Sequence, residues 1–259
     1  MPSAPTRQVD LNSDMGEAFG AYRMGDDAAL LRIVTSANVA CGFHGGDPEV
    51  MAETFAQAKE RGVAVGAHPG FPDLWGFGRR NMPFSLGEIE RLVAYQIGAA
   101  QALSAYAGHP IAYVKAHGAL GNLAQTDAGA ADAINRAMKA VDPSLVCLAI
   151  ALGEQERRGR DAGLAMKSEI FADRAYTDAG ILASRKLPGA VLHDPKQAAE
   201  RCVRMVRASA IETMDGNRLP VEFDSICVHS DTPTAVAVAT AVRAALEADG
   251  VRLQAFAAG

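Results

Sequence analysis

Residues 63–68 read VAVGAH, a short apolar run with branched valines that ends on a histidine. The same signature recurs at 39–44 (VACGFH), 112–117 (AYVKAH) and 225–229 (SICVH). His44, His68, His117 and His229, four of only six histidines, therefore share one address at the ends of strand-like runs. Branched and aromatic residues suit a pleated strand, and β/α-barrel sites gather at the C-terminal ends of parallel strands. The pattern predicts where the chemistry is before it says what the chemistry is.

Working outward, strand-like and helix-like segments alternate along the chain. The predicted strands are Val9–Asn12, Ser36–Gly42, Val63–Ala67, Ala112–Lys115, Leu145–Ile150, Met166–Phe171 and Ser225–Val228. Asp47-Pro48, Asp194-Pro195 and Thr232-Pro233 each read as a capping residue before a first-turn proline, and Ser85 with Glu88 as a capping box. Seven such units imply a parallel sheet covered by helices, because a parallel crossover needs a long connection. One segment, Ile211 to Phe223 with its Asp215-Gly216 turn, breaks the alternation and reads as an inserted hairpin. No linker or repeat divides the chain, so a single α/β domain over residues 1–259 is expected.

Side-chain parity favours a closed barrel over an open doubly wound sheet. Alternate strand residues point to opposite faces. Asp10, Asn12 and Asp14 share one face, as do Ser36, Asn38 and His44, Gly66 and His68, Lys115 and His117, Glu169 and Asp173, and Ser225 and His229. Barrel interiors usually hold branched aliphatics. This one is predicted to be small and polar, with a cleft reaching deep inside it.

Composition narrows the function. The chain has 259 residues, 49% hydrophobic and 21% charged, the balance of an ordinary globular domain. A net charge of −5 argues against a nucleic-acid or anionic-membrane surface. No apolar run suits a transmembrane helix, and residues 1–8 lack the apolar core of a signal peptide. Four scattered cysteines without a C-x-x-C spacing read as buried reduced thiols, so a cytoplasmic location is expected.

Several segments carry chemistry. DLNSDMGEAFGAYRMGDD (10–27) sets carboxylates among glycine-rich turns, with Asp26 and Asp27 also suited to capping a helix. GAHPGFPDLWGFGRR (66–80) is too apolar and glycine-rich for a solvated loop and reads as a lid or substrate loop, with Arg79 and Arg80 suited to an anion. Lys115, on an interior face, needs anionic partners. Glu169, Asp173, Arg174, Tyr176, Asp178, Arg185 and His193 lie in or beyond the sixth strand, in a long polar wall. Cys41 has opposite parity to His44 and reads as core. No H-E-x-x-H, Walker or G-x-S-x-G motif is present.

DLNSDMGEAFG, TSANVACGFHGGDP, GVAVGAHPGFPDLWGFGRR, VKAHGALGN, EIFADRAYTDAG and ICVHSDTPTAV together resemble the LamB/YcsF family, in order and over nearly the full chain. The sequence departs from the family pattern at Ser13, Ala116, Gly121 and Ser230. The resemblance implies a distorted seven-stranded β/α (TIM-like) barrel similar to the glycoside hydrolase/deacetylase superfamily. It further implies the A subunit of an ATP-dependent 5-oxoprolinase working with B and C subunits, which opens 5-oxo-L-proline to L-glutamate as ATP becomes ADP and phosphate. ATP enters as co-substrate, and the sequence does not locate its site.

On this reading Asp14, His44, His68, Lys115, His117, Glu169 and His229 form the expected catalytic cluster. Asn12, Asn38, Arg79, Arg80, Asp173 and Arg174 form the expected substrate-binding tier. Proton transfer falls to His68 or His117, substrate-anion binding to Lys115, and water activation to Asp14 or Glu169. Two other readings stay open. One is a metal-dependent amide hydrolase or deacetylase, with a divalent ion on Asp14 and His44, His68 or His117. The other is a non-catalytic lactam-binding subunit.

Overall fold

The computed structural model describes residues 7–257; residues 1–6, part of the segment expected to lack a signal peptide, lie outside the described residues. Its first half runs β1 (Gln8–Met15), α1 (Asp27–Leu30), β2 (Ser36–Ala40), α2 (Pro48–Arg61), β3 (Ala64–His68), α3 (Leu86–Tyr106), β4 (Tyr113–Val114), α4 (Gly118–Thr126) and α5 (Ala128–Val141). The second half runs β5 (Val146–Ile150), α6 (Glu154–Asp161), β6 (Met166–Phe171), α7 (Pro195–Ala208), β7 (Ala210–Glu212), β8 (Arg218–Pro220), β9 (Ser225–Val228), α8 (Ala235–Ala248) and β10 (Arg252–Leu253).

Strands β1 to β6 pair in parallel in chain order, β6 pairs with β9, and β9 returns to β1. Seven parallel strands thus close an α/β TIM-like barrel with helices outside. Closure leaves no edge between β1 and β9 open to a foreign strand. The short β10 extends the start of β1, and β7 and β8 form a separate antiparallel ribbon.

Local chemistry explains where the helices begin. Asp47 accepts from the Glu49 and Val50 amides at 2.9 and 3.0 Å, with Pro48 in the first turn. Asp194 does the same for α7 through the Gln197 amide at 2.8 Å. Ser85 and Glu88 close a reciprocal capping box on α3. Thr232-Pro233 departs from the sequence expectation. Helix α8 starts at Ala235, behind Thr234, whose hydroxyl makes no capping bond. The Ala235 amide bonds the Thr232 carbonyl, so Thr232 and Pro233 sit in a preceding turn.

The apolar core lies between barrel and helices, where Val65, Phe55, Ile97, Ile134, Met138, Cys202 and Leu246 are buried. The barrel interior is polar but filled, which corrects the expectation of a deep cleft. Asp10 accepts from Thr35 and Ser36 hydroxyls at 2.6 Å, and also from Ser225. Asn12 donates to Ser225 Oγ at 2.7 Å and Glu169 at 3.0 Å. Asn38 donates to Asn12 at 2.7 Å and Asp14 at 2.8 Å. Tyr113 crosses the lumen to donate to Asn38 at 2.8 Å. Gly66 admits that ring, since a Cβ there would lie 2.3 Å from it. Leaving any of these buried groups unmatched would cost about 1–3 kcal/mol, so the network closes the lower barrel and the cleft begins above it.

Candidate active site

The cleft opens at the C-terminal ends of the strands. Asp14, His68, Arg79, Lys115, His117, Glu169, Phe171, Arg174, Arg185 and His229 line it. Of the expected catalytic cluster, only His44 stands behind the lining, stacked on His117 with ring centroids 3.6 Å apart and planes 4° from parallel.

The floor is an ionic triad. Lys115 Nζ lies 3.1 Å from Asp14 and 2.8 Å from Glu169, with Asn12 Oδ1 at 3.2 Å and Cys227 Sγ at 3.1 Å. Burial alone would lower the Lys115 pKa, but Asp14 and Glu169 raise it well above the ordinary lysine value. Burial likewise opposes ionisation of Asp14, yet Lys115 and His68 hold its carboxyl well below the usual range. The lysine charge is therefore already matched by two carboxylates. Lys115 has no charge to spare for a substrate anion, unlike its expected role. Glu169 Oε1 is buried and has no hydrogen-bond partner among the described residues.

Beside the triad stands a pair of histidines. His68 Nδ1 donates to the Lys115 carbonyl at 2.8 Å, and His117 Nε2 donates to the Phe77 carbonyl at 2.8 Å. These partners fix the tautomers. The remaining nitrogens, His68 Nε2 and His117 Nδ1, face each other at 3.0 Å. Asp14 Oδ1 is 3.3 Å from the first, and Glu17 Oε1 is 3.5 Å from the second. Two imidazole lone pairs and two carboxyl oxygens repel unless a proton or a metal cation lies among them. Burial keeps His44 and His117 well below the ordinary histidine pKa. Burial, with Asp14 and Asp231 nearby, raises Glu17 well above the usual carboxyl range.

These rings are held by loop 69–79. Gly78 has φ +63°, and a Cβ on it would lie 2.7 Å from His44 Cβ and 2.8 Å from His117 Cδ2. Phe77 itself sits at φ +54°, and its carbonyl accepts from His117.

The opposite wall carries a second histidine arrangement. His229 Nδ1 donates to the Asp173 carboxylate at 2.9 and 3.0 Å, and the ring stacks on Phe171 at 5.4 Å. Burial would raise the Asp173 pKa, but His229 and the nearby arginines hold it below the ordinary value. His229 Nε2 has no protein partner among the described residues, and His229 lines the cleft. A carboxylate-oriented imidazole with its second nitrogen free is suited to general acid–base work.

Other expected residues are placed differently. Arg79 lines the cleft but forms a two-bond pair with Asp231 at 2.6 and 3.0 Å. Arg80 pairs with Asp73 outside the cleft, so it is not brought to the site. Asn12 and Asn38 are fully buried beneath the floor and position Asp14 and Lys115 rather than reaching a ligand. Glu17 and Arg185 fall in segments the sequence marks as chemical, the carboxylate stretch 10–27 and the polar wall beyond β6, but outside the expected catalytic cluster and substrate-binding tier. Glu17 follows the Gly16 turn at φ +64° and reaches His44 and His117, and Arg185 lies in a loop without periodicity, so the strand pattern assigns neither one a face. In a separate groove bordered by Glu17, His44 and Phe77, Trp75 is 98% exposed and Tyr22 80%, with Leu74 and Met24 also exposed.

Comparison with known proteins agrees with this architecture. Residues 9–259 match the LamB/YcsF family. The chain is 63% identical to the 5-oxoprolinase A subunit of Gluconobacter oxydans, over 96% of this chain and 98% of that one. It is 61% identical to the 5-oxoprolinase A subunit of Azorhizobium caulinodans, with the same coverage. Its structure resembles the crystal structure of a lactam utilization protein from Thermus thermophilus, with a TM-score of 0.91 and 47% identity over 96% of this chain and all of that one. The catalytic domain of a peptidoglycan N-acetylglucosamine deacetylase from Eubacterium rectale shares the fold alone, with a TM-score of 0.53 and 10% identity over 99% and 92% of the two chains.

Proposed function

The chain belongs to the LamB/YcsF family, and from that membership we propose that it is the A subunit of an ATP-dependent 5-oxoprolinase, acting in the cytoplasm beside B and C subunits. The observation that carries the chemistry is the Asp173–His229 pair, its free Nε2 on a cleft lined by charged groups. 5-Oxo-L-proline, ATP and two waters give L-glutamate, ADP and phosphate. The ring C–N bond breaks, a water oxygen enters the new carboxylate, and the ring nitrogen leaves as an amine. An amide carbonyl is a poor electrophile, and transfer of the γ-phosphoryl group to its oxygen, with ADP released, makes it a better one; the first water opens the ring and the second cleaves the resulting acyl phosphate to carboxylate and phosphate. ATP coupling follows from that weakness.

In this reading His229 removes a proton from the attacking water and returns one to the departing nitrogen. Asp173 keeps the ring oriented and stabilises its protonated form. Lys115 fixes Asp14 and Glu169, and Glu169 Oε1 is a second acceptor at the floor. The exposed Trp75 and Tyr22 patch offers the other subunits an apolar surface. The test is glutamate release from 5-oxo-L-proline with ATP, by the chain alone and with its B and C subunits. Release only from the full set is expected. Silence in both, with B and C competent beside another A subunit, would overturn the reading.

The facing nitrogens of His68 and His117 favour a second, metal-dependent reading. Each ring gives its other N–H to a backbone carbonyl, as metal-ligating histidines do. Glu17, His44, His68 and His117 each offer a ligand atom within 4.8 Å of the others, with Asp14 flanking His68 at 3.3 Å. Imidazole nitrogens with a carboxylate suit a divalent cation. A cation held there would supply Lewis-acid assistance to an amide carbonyl. Stoichiometric metal in the purified chain, lost in His68→Ala, would support this version.

A further inference from the structure

The cleft is electrically lopsided. Its floor sets two carboxylates, Asp14 and Glu169, against one ammonium, Lys115. Its wall sets three guanidiniums, Arg79, Arg174 and Arg185, against Asp173 and Asp231. Those two acids are already committed, Asp173 to His229 and Asp231 to Arg79. Arg174 and Arg185 therefore have no ion-pair partner among the described residues.

Arg174 is 4% exposed, and its one side-chain hydrogen bond among the described residues runs from Nη2 to the Ala183 carbonyl at 2.7 Å. Its Nε is buried without a partner there. Burial and the neighbouring Arg185 lower its pKa to about 10. A guanidinium is rarely left so short of acceptors, because desolvating a charge without a counter-ion is costly.

The loop is also built to hold both groups in place. Arg174 follows β6 closely, and the carbonyl it grips belongs to Ala183, two residues before Arg185. The Ala183 amide bonds the Ala175 carbonyl at 2.9 Å, and the Ala175 amide bonds the Ala190 carbonyl at 3.0 Å. The segment bearing Arg185 is thus tied back to the segment bearing Arg174.

We propose that Arg174 and Arg185 form an oxyanion subsite that receives a carboxylate or phosphoryl group of the ligand and selects anionic over neutral lactams. The lactam part of this proposal rests on the function proposed above; the oxyanion part rests on the two guanidiniums. Paired N–H donors from arginine match the planar geometry of a carboxylate and also suit a phosphate. Arg79 is excluded from the subsite, because Asp231 already occupies its donor fork.

The test is equilibrium binding to the purified full chain by calorimetry, using 5-oxo-L-proline, the neutral 2-pyrrolidinone and inorganic phosphate. Arg185→Gln is the first variant, since no ion pair among the described residues depends on that side chain. Arg174→Lys is the second, keeping charge while removing the fork. The wild type is expected to prefer 5-oxo-L-proline over 2-pyrrolidinone by about tenfold or more. Arg185→Gln should weaken the anionic lactam by a similar factor and leave 2-pyrrolidinone unchanged. Arginine-dependent binding of phosphate in competition with 5-oxo-L-proline would support the same subsite and identify a phosphoryl group as an accepted oxyanion. Arginine-dependent phosphate binding with neither lactam bound would overturn the lactam reading and keep the subsite. Lactam binding indifferent to both variants, or no binding of either oxyanion by the wild type, would overturn the subsite.

Discussion

Asp173 and His229 meet through two short contacts, while the far nitrogen of the ring stays free. That asymmetry gives the pair its expected role and its test. Asp173→Asn keeps the size of the side chain but removes its charge. In the assembled enzyme we expect glutamate release to fall by about 10²- to 10⁴-fold, with KM for 5-oxo-L-proline nearly unchanged. Asp173→Glu, which keeps the carboxylate, should recover part of that loss. A purely structural role for Asp173 would leave the isosteric Asn variant more active than the Glu variant. His68 and His117 are different. Their outer nitrogens are spent on carbonyls, so they suit holding a proton or a cation between them more than shuttling one.

At the scale of elements, the strand ends supply the charged groups and the loops hold them. Loop 69–79 presses its glycines against the faces of His44 and His117, and only a residue without a Cβ fits at 78. Gly78→Ala meets both a steric contact and a positive φ, so it should destabilise the fold by more than about 1 kcal/mol. It should also shift the His117 ring resonances. Thermal unfolding and NMR of the imidazole signals check the two effects together; an unchanged His117 environment would show that the loop does not set the ring. Helices contribute less directly, since their caps at Asp47, Ser85 and Asp194 fix where each crossover starts.

For the whole molecule, the polar lumen makes stability depend on pH. Burial raises the Asp10 pKa to about 6, against an ordinary value of 3.8. A raised carboxyl binds protons in the folded chain that the unfolded chain has already released. Its contribution to stability is full below the unfolded value and is lost as pH rises through about 6. The loss amounts to about 3 kcal/mol by pH 7. Asp10→Asn has no such titration, so the difference in unfolding free energy between variant and wild type should change by about that amount between about pH 4 and pH 7. Denaturant unfolding at the two pH values measures it. A constant difference would mean that Asp10 titrates normally despite its burial.

Much of this was legible in the sequence because it depends on local periodicity. Alternation along VAVGAH or AYVKAH is set by strand geometry, so the histidine at each end and the parity of Asp14, Lys115 and Glu169 could be read without a structure. Capping at Asp47 and Ser85 is equally local, whereas at Thr232 the same pattern misled because the chain makes one more turn before α8. The sequence by itself determined the seven units, the polar inner face and the end at which the histidines gather. Tertiary structure alone decided which charges are spent. Lys115 meets Asp14 and Glu169 across the barrel, Arg79 meets Asp231 from a distant loop, and Arg174 and Arg185 are left without counter-ions among the described residues. Those outcomes depend on distances of a few ångströms between residues far apart in the chain, and no local pattern encodes them.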